Sequence, residues 1–256
     1  ESVADPASLA REISNRHTGI GSDGLILIGP SEAAAVRMEM YNADGSRGLM
    51  CGNGIRCVAK YAYEHGLAAD ANMSIDTDDG VKQVACTLRE GEVVSVRVDM
   101  GEPRFAPSEV PVNMPDDAVI DAPIEINGRH FRMTCLSMGN PHAVIFVDAL
   151  SDVDLAADGP VMERNPIFPD GVNTHFVSVE APDRITAITW ERGSGPTMAC
   201  GTGMSAVCAA GARTARTNRH ITANVPGGQL DLCWHTDNHV YLTGPAVEVF
   251  TGTWPT

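Results

Sequence analysis

The sequence predicts an α+β fold built from two similar halves, and two observations carry this prediction. Across the 256 residues, many short segments rich in β-branched residues alternate with three helical patterns. One arrangement of strand, polar glycine-containing turn, Cys-Gly-x-Gly and helix also occurs twice, with 149 residues from Cys51 to Cys200. This spacing is too long for a solenoid repeat and fits two α+β halves that face one another.

In the first half, hydrophobic periodicity sets the elements. Apolar residues at helical spacing predict helices over 6–16 and 53–65. Runs rich in Val, Ile, Ser and Thr predict strands. These strands are expected over residues 25–28, 36–41, 72–76, 81–88 and 92–99.

The second half repeats the same kind of pattern after residues 100–115, which are rich in proline and are expected to form a linker. Asn127-Gly128 between apolar residues predicts a hairpin. A helix is expected over 201–216. Further strands are expected over residues 142–147, 183–190, 220–225 and 239–243.

Composition limits the function classes. The net charge of −15 opposes binding to nucleic acid and to anionic membranes, and no apolar run approaches the roughly 20 residues that span a bilayer. The residues from Glu1 to Asp5 show no secretory signal. Seven cysteines, an odd number without a CxxC pair, indicate free thiols rather than a disulfide framework. We therefore expect a cytoplasmic protein.

The two Cys-Gly-x-Gly segments indicate proton-transfer chemistry. A cysteine at a helix N-terminus meets the positive end of the helix dipole, which stabilises a thiolate, and the free N–H groups there can hold a carboxylate. Facing helix ends would place Cys51 and Cys200 on opposite sides of one substrate α-carbon. One sulfur would then remove the α-proton while the other delivers a proton to the opposite face.

A third glycine-rich segment, residues 19–24, matches the GxGxxG pattern of dinucleotide sites. It follows a predicted helix and precedes a predicted strand, whereas a dinucleotide-binding turn needs the reverse order. We therefore reject a dinucleotide site. The cysteines other than Cys51 and Cys200 are interpreted as packing residues.

The order of several motifs resembles that of the diaminopimelate epimerases over nearly the whole chain. The residues that carry the resemblance are Asn15–Gly21, Asn42–Ser46, Cys51–Cys57, Met100–Pro103, Gly139–His142, Gly171–Asn173, Glu191–Gly193 and Ala199–Gly203. The resemblance implies interconversion of LL- and meso-diaminopimelate in lysine and peptidoglycan precursor synthesis, without pyridoxal phosphate, any other cofactor or a metal. It also implies a small-molecule substrate and a homodimer.

The resemblance also assigns domains and residue roles. Two pseudo-symmetric domains are implied, each a curved and mostly antiparallel sheet around a central helix: residues 1–104 with about 245–256, and residues 105–244. Cys51 and Cys200 are the implied acid/base pair. The implied substrate-binding residues are Asn42, Gly52, Asn53, Asn140, Asn173, Glu191, Arg192, Gly201 and Thr202. His142 and Glu191 are expected to tune the thiols.

Two other interpretations remain open. A proline or hydroxyproline racemase has the same fold, but such sequences typically carry His where this chain has Asn53. An inactive binding homologue is the second alternative, because the opening strand of the family, with its Gly-Asn-Asp motif, has no counterpart in this sequence. The sequence leaves open which cysteine is the resting thiolate.

Overall fold

The contacts within the computed structural model, which describes residues 3–115 and 117–255, divide the chain into two units. The first unit runs to Val98 and also includes the segment from Pro245 onward, and the second comprises Asp99–Gly244. The sequence placed the first division after residue 104 and the return at about residue 245. Each unit is described by itself below.

The first unit is a mostly antiparallel sheet with two helices. Its elements are α1 (Pro6–Ser14), β1 (Gly24–Gly29), β2 (Val36–Asn42), β3 (Arg47–Gly48), α2 (Gly52–Glu64), β4 (Asn72–Thr77), β5 (Gly80–Arg89) and β6 (Glu92–Asp99). The strand order is β1-β2-β4-β5-β6, with β3 paired to β2, and the β2–β4 pair is parallel. Helix α2 packs on β2, β4 and β5 and buries Ile55, Val58 and Ala59, as its helical periodicity predicts.

The second unit has the same plan with additional strands. Its elements are β7 (Ala122–Ile126), β8 (Arg129–Ser137), β9 (Pro141–Phe146), α3 (Leu155–Glu163), β10 (Asn173–Ala181), β11 (Arg184–Glu191), β12 (Gly195–Thr197), α4 (Gly201–Arg213), β13 (His220–Val225), β14 (Gly228–Trp234) and β15 (Val240–Gly244). The strand order is β15-β14-β13-β11-β10-β9-β8-β7, with β12 paired to β11. Helix α4 is central, because every residue from Gly203 to Gly211 is buried.

Both units contain the same arrangement of two helices and a pair of antiparallel strands. A shift of 149 residues places α1 on α3 and α2 on α4 from first residue to last. It also places the pair Ile26–Met40 of β1 and β2 on the pair His175–Thr189 of β10 and β11. Both α1 and α3 begin with an aspartate, Asp5 or Asp154, whose side chain accepts a hydrogen bond from the third helical N–H. The α+β fold class with internal pseudo-symmetry is therefore confirmed.

Some elements differ from the sequence-based expectations. Strands β3, β10, β12 and β14 and helix α3 were not predicted. The stretch 100–115 was predicted as a linker, but this is wrong, because Val110 and Val112 are buried in the core of the second unit. Helices α1 and α4 end before the predicted limits.

Within residues 3–115 and 117–255, no helix combines the length and the apolar character that crossing a bilayer requires.

Candidate active site

Cys51 is the N-cap residue of helix α2. A hairpin of β2 and β3 precedes it, pairing Tyr41 with Arg47. The backbone of Cys51 is extended (φ −135°, ψ 121°), and its Sγ accepts a hydrogen bond from the Gly54 N–H at 3.4 Å. Gly54 allows close packing here, since a Cβ at this position would lie 2.5 Å from Cδ1 of Ile26. The sulfur therefore lies at the positive end of a 13-residue helix.

A buried cation lies one turn further along α2. Arg56 is 7% exposed, and its guanidinium donates to the carbonyl oxygens of Gly52 (2.8 Å) and Pro245 (3.2 Å) and to Asn53 Oδ1 (3.2 Å). Burial lowers the pKa of Arg56, and the electrostatic interactions with Cys57 and Cys51 oppose this lowering. The first cysteine is thus near a positive charge.

Cys200 occupies the equivalent N-cap position of helix α4. The β11–β12 hairpin precedes it, pairing Glu191 with Gly195. Its backbone is again extended (φ −121°, ψ 108°), and its Sγ lies 3.6 Å from Thr202 Oγ1. Burial and the nearby Glu191 carboxylate raise the pKa of the Cys200 thiol well above its usual range.

The residues that follow the two cysteines differ in charge. Ser205 stands at the position that corresponds to Arg56, and its Oγ donates to the carbonyl oxygen of Gly201 at 3.0 Å, just as Arg56 donates to that of Gly52. The same carbonyl is therefore bonded in both helices, by a cation in the first unit and by a neutral hydroxyl in the second.

Four buried or half-buried side chains form a hydrogen-bonded chain in the second unit, here called the imidazole relay. His142 Nε2 lies 2.8 Å from Asn140 Oδ1, and His142 Nδ1 lies 2.9 Å from His175 Nε2. His175 Nδ1 lies 2.9 Å from Thr189 Oγ1. Both rings are fully buried; burial, then His175 and Arg192, lower the pKa of His142, and burial lowers the pKa of His175 to about 3. Both imidazoles are therefore neutral at physiological pH.

Asn173 connects the two polar loops of this unit. Its Nδ2 donates to the carbonyl oxygen of Pro141 at 2.9 Å, and its Oδ1 accepts from the Arg192 N–H at 3.0 Å. Asn173 is 4% exposed. The loop that carries Asn140 and the turn that carries Arg192 are thereby held by one amide side chain.

The Glu191–Gly193 turn is fixed from its other side by helix α3. Glu163 accepts hydrogen bonds from Trp190 Nε1 (2.6 Å) and from the Gly193 N–H (2.9 Å). The Arg192 guanidinium donates to the carbonyl oxygen of Asp170 at 2.7 Å. Glu191 itself accepts from Thr197 Oγ1 at 2.6 Å.

The remaining predicted residues lie on the same two helices and hairpins. Asn42 is exposed at the end of β2, and its Nδ2 donates to Ser46 Oγ at 2.9 Å. Gly52 and Gly201 are buried at the first helical positions, and Asn53 and Thr202 follow them half-buried. In the second unit, contacts thus link Asn140 to His142, Asn173 to the backbone of Arg192, and Glu191 to Cys200. The first unit holds Asn42, Cys51, Gly52 and Asn53.

Sequence reasoning missed His175, Thr189 and Glu163. Strand periodicity gives the signal for His175, because a strand over 173–181 places residues 173 and 175 on one face. Without that strand the pattern was not visible. Glu163 could not be found from a local pattern, because its contacts with Trp190 and Gly193 are tertiary.

Two expectations about other sites have clear outcomes. Residues 19–24 follow α1 and lead into β1, so the order of elements agrees with the rejection of a dinucleotide turn. Cys135 and Cys208 are buried, as packing residues are, whereas Cys57 is exposed, so the packing interpretation is wrong for Cys57.

Within the described ranges, no group of three or more His, Cys, Asp or Glu side chains is arranged to hold a metal ion.

Comparison with known proteins identifies the family. The family model of diaminopimelate epimerase matches residues 1–106 and 134–249. The chain belongs to the diaminopimelate epimerase family. A diaminopimelate epimerase from Moorella thermoacetica is 47% identical over 252 residues, covering 98% of this chain and 90% of that protein. One from Agathobacter rectalis is 46% identical over 260 residues, with 98% and 91% covered.

Solved structures share the fold at low identity. A probable proline racemase from Agrobacterium radiobacter superposes with a TM-score of 0.68 at 16% identity, covering 94% of this chain and 79% of that one. A structure described as a predicted epimerase from Pseudomonas aeruginosa gives a TM-score of 0.67 at 16% identity, with 98% and 90% covered. The architecture of this family is therefore shared with amino-acid racemases.

Proposed function

We propose that this protein is an isomerase that interconverts LL- and meso-diaminopimelate. The observation that carries the proposal is the duplicated N-cap cysteine, Cys51 on α2 and Cys200 on α4, in a chain of the diaminopimelate epimerase family. The relatives with 46–47% identity bear that enzyme name. Synthesis of lysine and of peptidoglycan precursors is the corresponding pathway.

The proposed reaction uses two sulfur bases and no cofactor. The thiolate of one cysteine takes the α-proton, and the electron pair of the broken C–H bond remains on the α-carbon. The thiol of the other cysteine then gives its proton to the opposite face, so the configuration inverts and the sulfurs exchange protonation states. The mechanism therefore requires that both sulfurs reach the same α-carbon.

The helix N-termini are proposed to hold the α-carboxylate. The first N–H groups of α2 and α4 belong to Gly52, Asn53, Gly201 and Thr202, and such groups bind anions because they lack helical acceptors. Asn42, Asn140 and Asn173 are proposed to bind the remaining polar groups. Glu191 would bind an ammonium group and Arg192 the distal carboxylate.

The charges near the two cysteines favour Cys51 as the base of the resting enzyme. The buried Arg56 cation interacts with Cys51, whereas Cys200 is buried beside the Glu191 carboxylate. A positive neighbour favours a thiolate and a negative neighbour favours a thiol. In the resting state we therefore propose that Cys200 is the protonated acid and that Cys51 is its partner in proton transfer. His142 is proposed to influence the thiols through the residues that it positions.

The remaining assignments are proposals of the same kind. The two units are proposed to be the two domains of the family, and the protein is proposed to work in the cytoplasm as a homodimer without nucleic-acid partners. The net charge of −15 supports the last point.

Exchange of the α-proton in deuterated water tests the proposal. We expect the protein to incorporate deuterium into diaminopimelate and to interconvert its LL and meso forms, without added pyridoxal phosphate or metal. L-Proline and trans-4-hydroxy-L-proline are the matched controls, because a probable proline racemase and a hydroxyproline epimerase from Agrobacterium vitis with bound trans-4-hydroxy-L-proline share this fold. Exchange on proline alone would favour the racemase, and exchange on neither would favour a binding homologue.

A further inference from the structure

The imidazole relay contains two residues, His175 and Thr189, to which neither the family motifs nor the proposed reaction assigns a role. His175 lies in β10, is fully buried, and bonds His142 on one side and Thr189 on the other. Its ring also contacts the start of helix α4, because a Cβ on Gly203 would lie 2.1 Å from His175 Cε1. Only a glycine at position 203 leaves room for this ring.

The internal repeat shows that the fold itself needs no polar side chain here. The counterparts of His175 and Thr189 in the first unit are Ile26 and Met40, which form the equivalent cross-strand pair. Ile26 packs against Gly54 just as His175 packs against Gly203. An apolar pair therefore completes the same scaffold, while the second unit buries two polar groups at the same place, which is costly unless they are bonded.

The bonds of the relay define which nitrogen of each ring carries its proton. Asn140 Oδ1 can only accept, so His142 Nε2 is the donor and His142 Nδ1 is an acceptor. His175 Nε2 must then donate to His142 Nδ1, and His175 Nδ1 accepts the Thr189 hydroxyl proton. Each side chain of the relay therefore donates its hydrogen bond in the same direction, from Thr189 through the two imidazoles to Asn140.

We propose that His175 is a positioning residue that, together with Thr189, fixes the tautomer of His142 and thereby presents the amide N–H groups of Asn140 to an acceptor on the substrate. This inference rests on the proposed function, in which Asn140 binds substrate. The chemical class of the group that Asn140 recognises is then a hydrogen-bond acceptor, such as a carboxylate oxygen, and not an ammonium group.

The first test measures the tautomers directly. In protein labelled with ¹⁵N at histidine, we expect the shifts of His142 and His175 to report neutral rings protonated at Nε2. Protonation of both rings at Nδ1 would reverse the relay and overturn the proposal. This measurement needs no substrate, so its outcome is independent of whether diaminopimelate is turned over.

The second test replaces His175 and Thr189 with the residues found at the equivalent positions of the first unit. The double variant His175→Ile with Thr189→Met recreates the Ile26–Met40 pair and removes the relay behind His142. We expect KM for diaminopimelate to rise about tenfold or more, since a hydrogen bond to a charged group is lost, with a smaller change in kcat. His175→Gln, which keeps a donor near His142, should recover part of the loss.

Two controls separate this role from a structural one. Val177→Ala removes buried volume from the same face of β10 without touching the relay, and it should lower stability while KM stays unchanged. In an Asn140→Ala background the double variant should have little further effect, because both changes remove the same contact. An unchanged KM in the folded double variant, or full additivity with Asn140→Ala, would refute the relay, whereas a wild-type protein with no turnover of diaminopimelate would refute the proposed function instead.

Discussion

Cys51 and Cys200 have similar backbone conformations but different surroundings. Both are extended N-cap residues of 13-residue helices, but Cys51 is half-buried near Arg56 and Cys200 is buried beside Glu191. In the proposed mechanism, this contrast makes Cys200 the acid of the resting enzyme.

Alanine at either cysteine is expected to abolish epimerisation. Cys51→Ala and Cys200→Ala each remove one proton-transfer group, and such groups contribute about 100-fold or more to the rate. The measurement is interconversion of LL- and meso-diaminopimelate by chiral chromatography. Cys57→Ala, at the exposed cysteine of α2, is the matched control and should retain activity. Turnover by either of the first two variants at the parent rate would end the two-base proposal.

The thiol of Cys200 is expected to stay protonated through neutral pH. Its pKa is raised by burial and by Glu191, so its alkylation by iodoacetamide should begin only at pH values above those of an ordinary thiol. Peptide mass spectrometry of protein treated at a series of pH values measures this midpoint. Glu191→Gln removes the negative charge and should move the midpoint to lower pH. Equal midpoints in the parent and Glu191→Gln proteins would show that the carboxylate has no such effect.

At the scale of elements, helix α3 supports the turn that carries Glu191 and Arg192. Gly159 lies against the Trp190 ring, so closely that a Cβ would be 2.3 Å from Trp190 Cδ2. Glu163, at the end of the same helix, bonds both Trp190 and Gly193. The position of the turn therefore depends on a helix outside the family motifs.

Gly159→Ala is expected to destabilise the protein and to weaken substrate binding. The added methyl group must displace Trp190, and overpacking of this kind costs about 1–3 kcal/mol. Urea unfolding and KM for diaminopimelate measure the two effects. Gly29→Ala is the matched control, because a Cβ at Gly29 meets no atom within 4 Å. A Gly159→Ala protein as stable as the Gly29→Ala protein would contradict this account of α3.

Local patterns predicted the elements with clear periodicity and missed those without it. Helix α2 was visible because Ile55, Val58, Ala59 and Ala62 recur at helical spacing. Helix α3 was not, because Gly159 and Pro160 interrupt its pattern and its packing on Trp190 is a tertiary contact. The two cysteines were found because the motif occurs twice, whereas the relay depends on pairing between β9, β10 and β11, which no single segment encodes.

At the scale of the whole molecule, the relay makes stability depend on pH. His175 has a folded-state pKa of about 3 and that of His142 is also lowered, so between pH 6.5 and about 3 the unfolded chain binds protons that the folded chain does not. The stability from these groups is complete above pH 6.5 and is lost as the pH falls. The loss is about 1.4 kcal/mol per pH unit for each group at most.

The double variant His175→Ile with Thr189→Met is therefore expected to lose stability more slowly in acid. Urea midpoints of the parent and the variant, measured by tryptophan fluorescence between pH 7 and pH 5, give the comparison. Since carboxylates and the retained His142 are present in both proteins, the difference between the two slopes reports the contribution of the His175 imidazole. Parallel slopes would show that His175 is not buried in its neutral form.

The 149-residue shift that relates the helices of the two units has a consequence for how such a protein can change over generations. Each residue of α1 and α2 has a counterpart in α3 or α4, so a residue in one helix can change while its counterpart in the other helix stays the same. Arg56 and Ser205 are the clearest example, because both bond the first carbonyl of their helix and only one adds a charge. Substitution in one of the two repeated helices can therefore change the surroundings of one cysteine and leave those of the other cysteine unchanged.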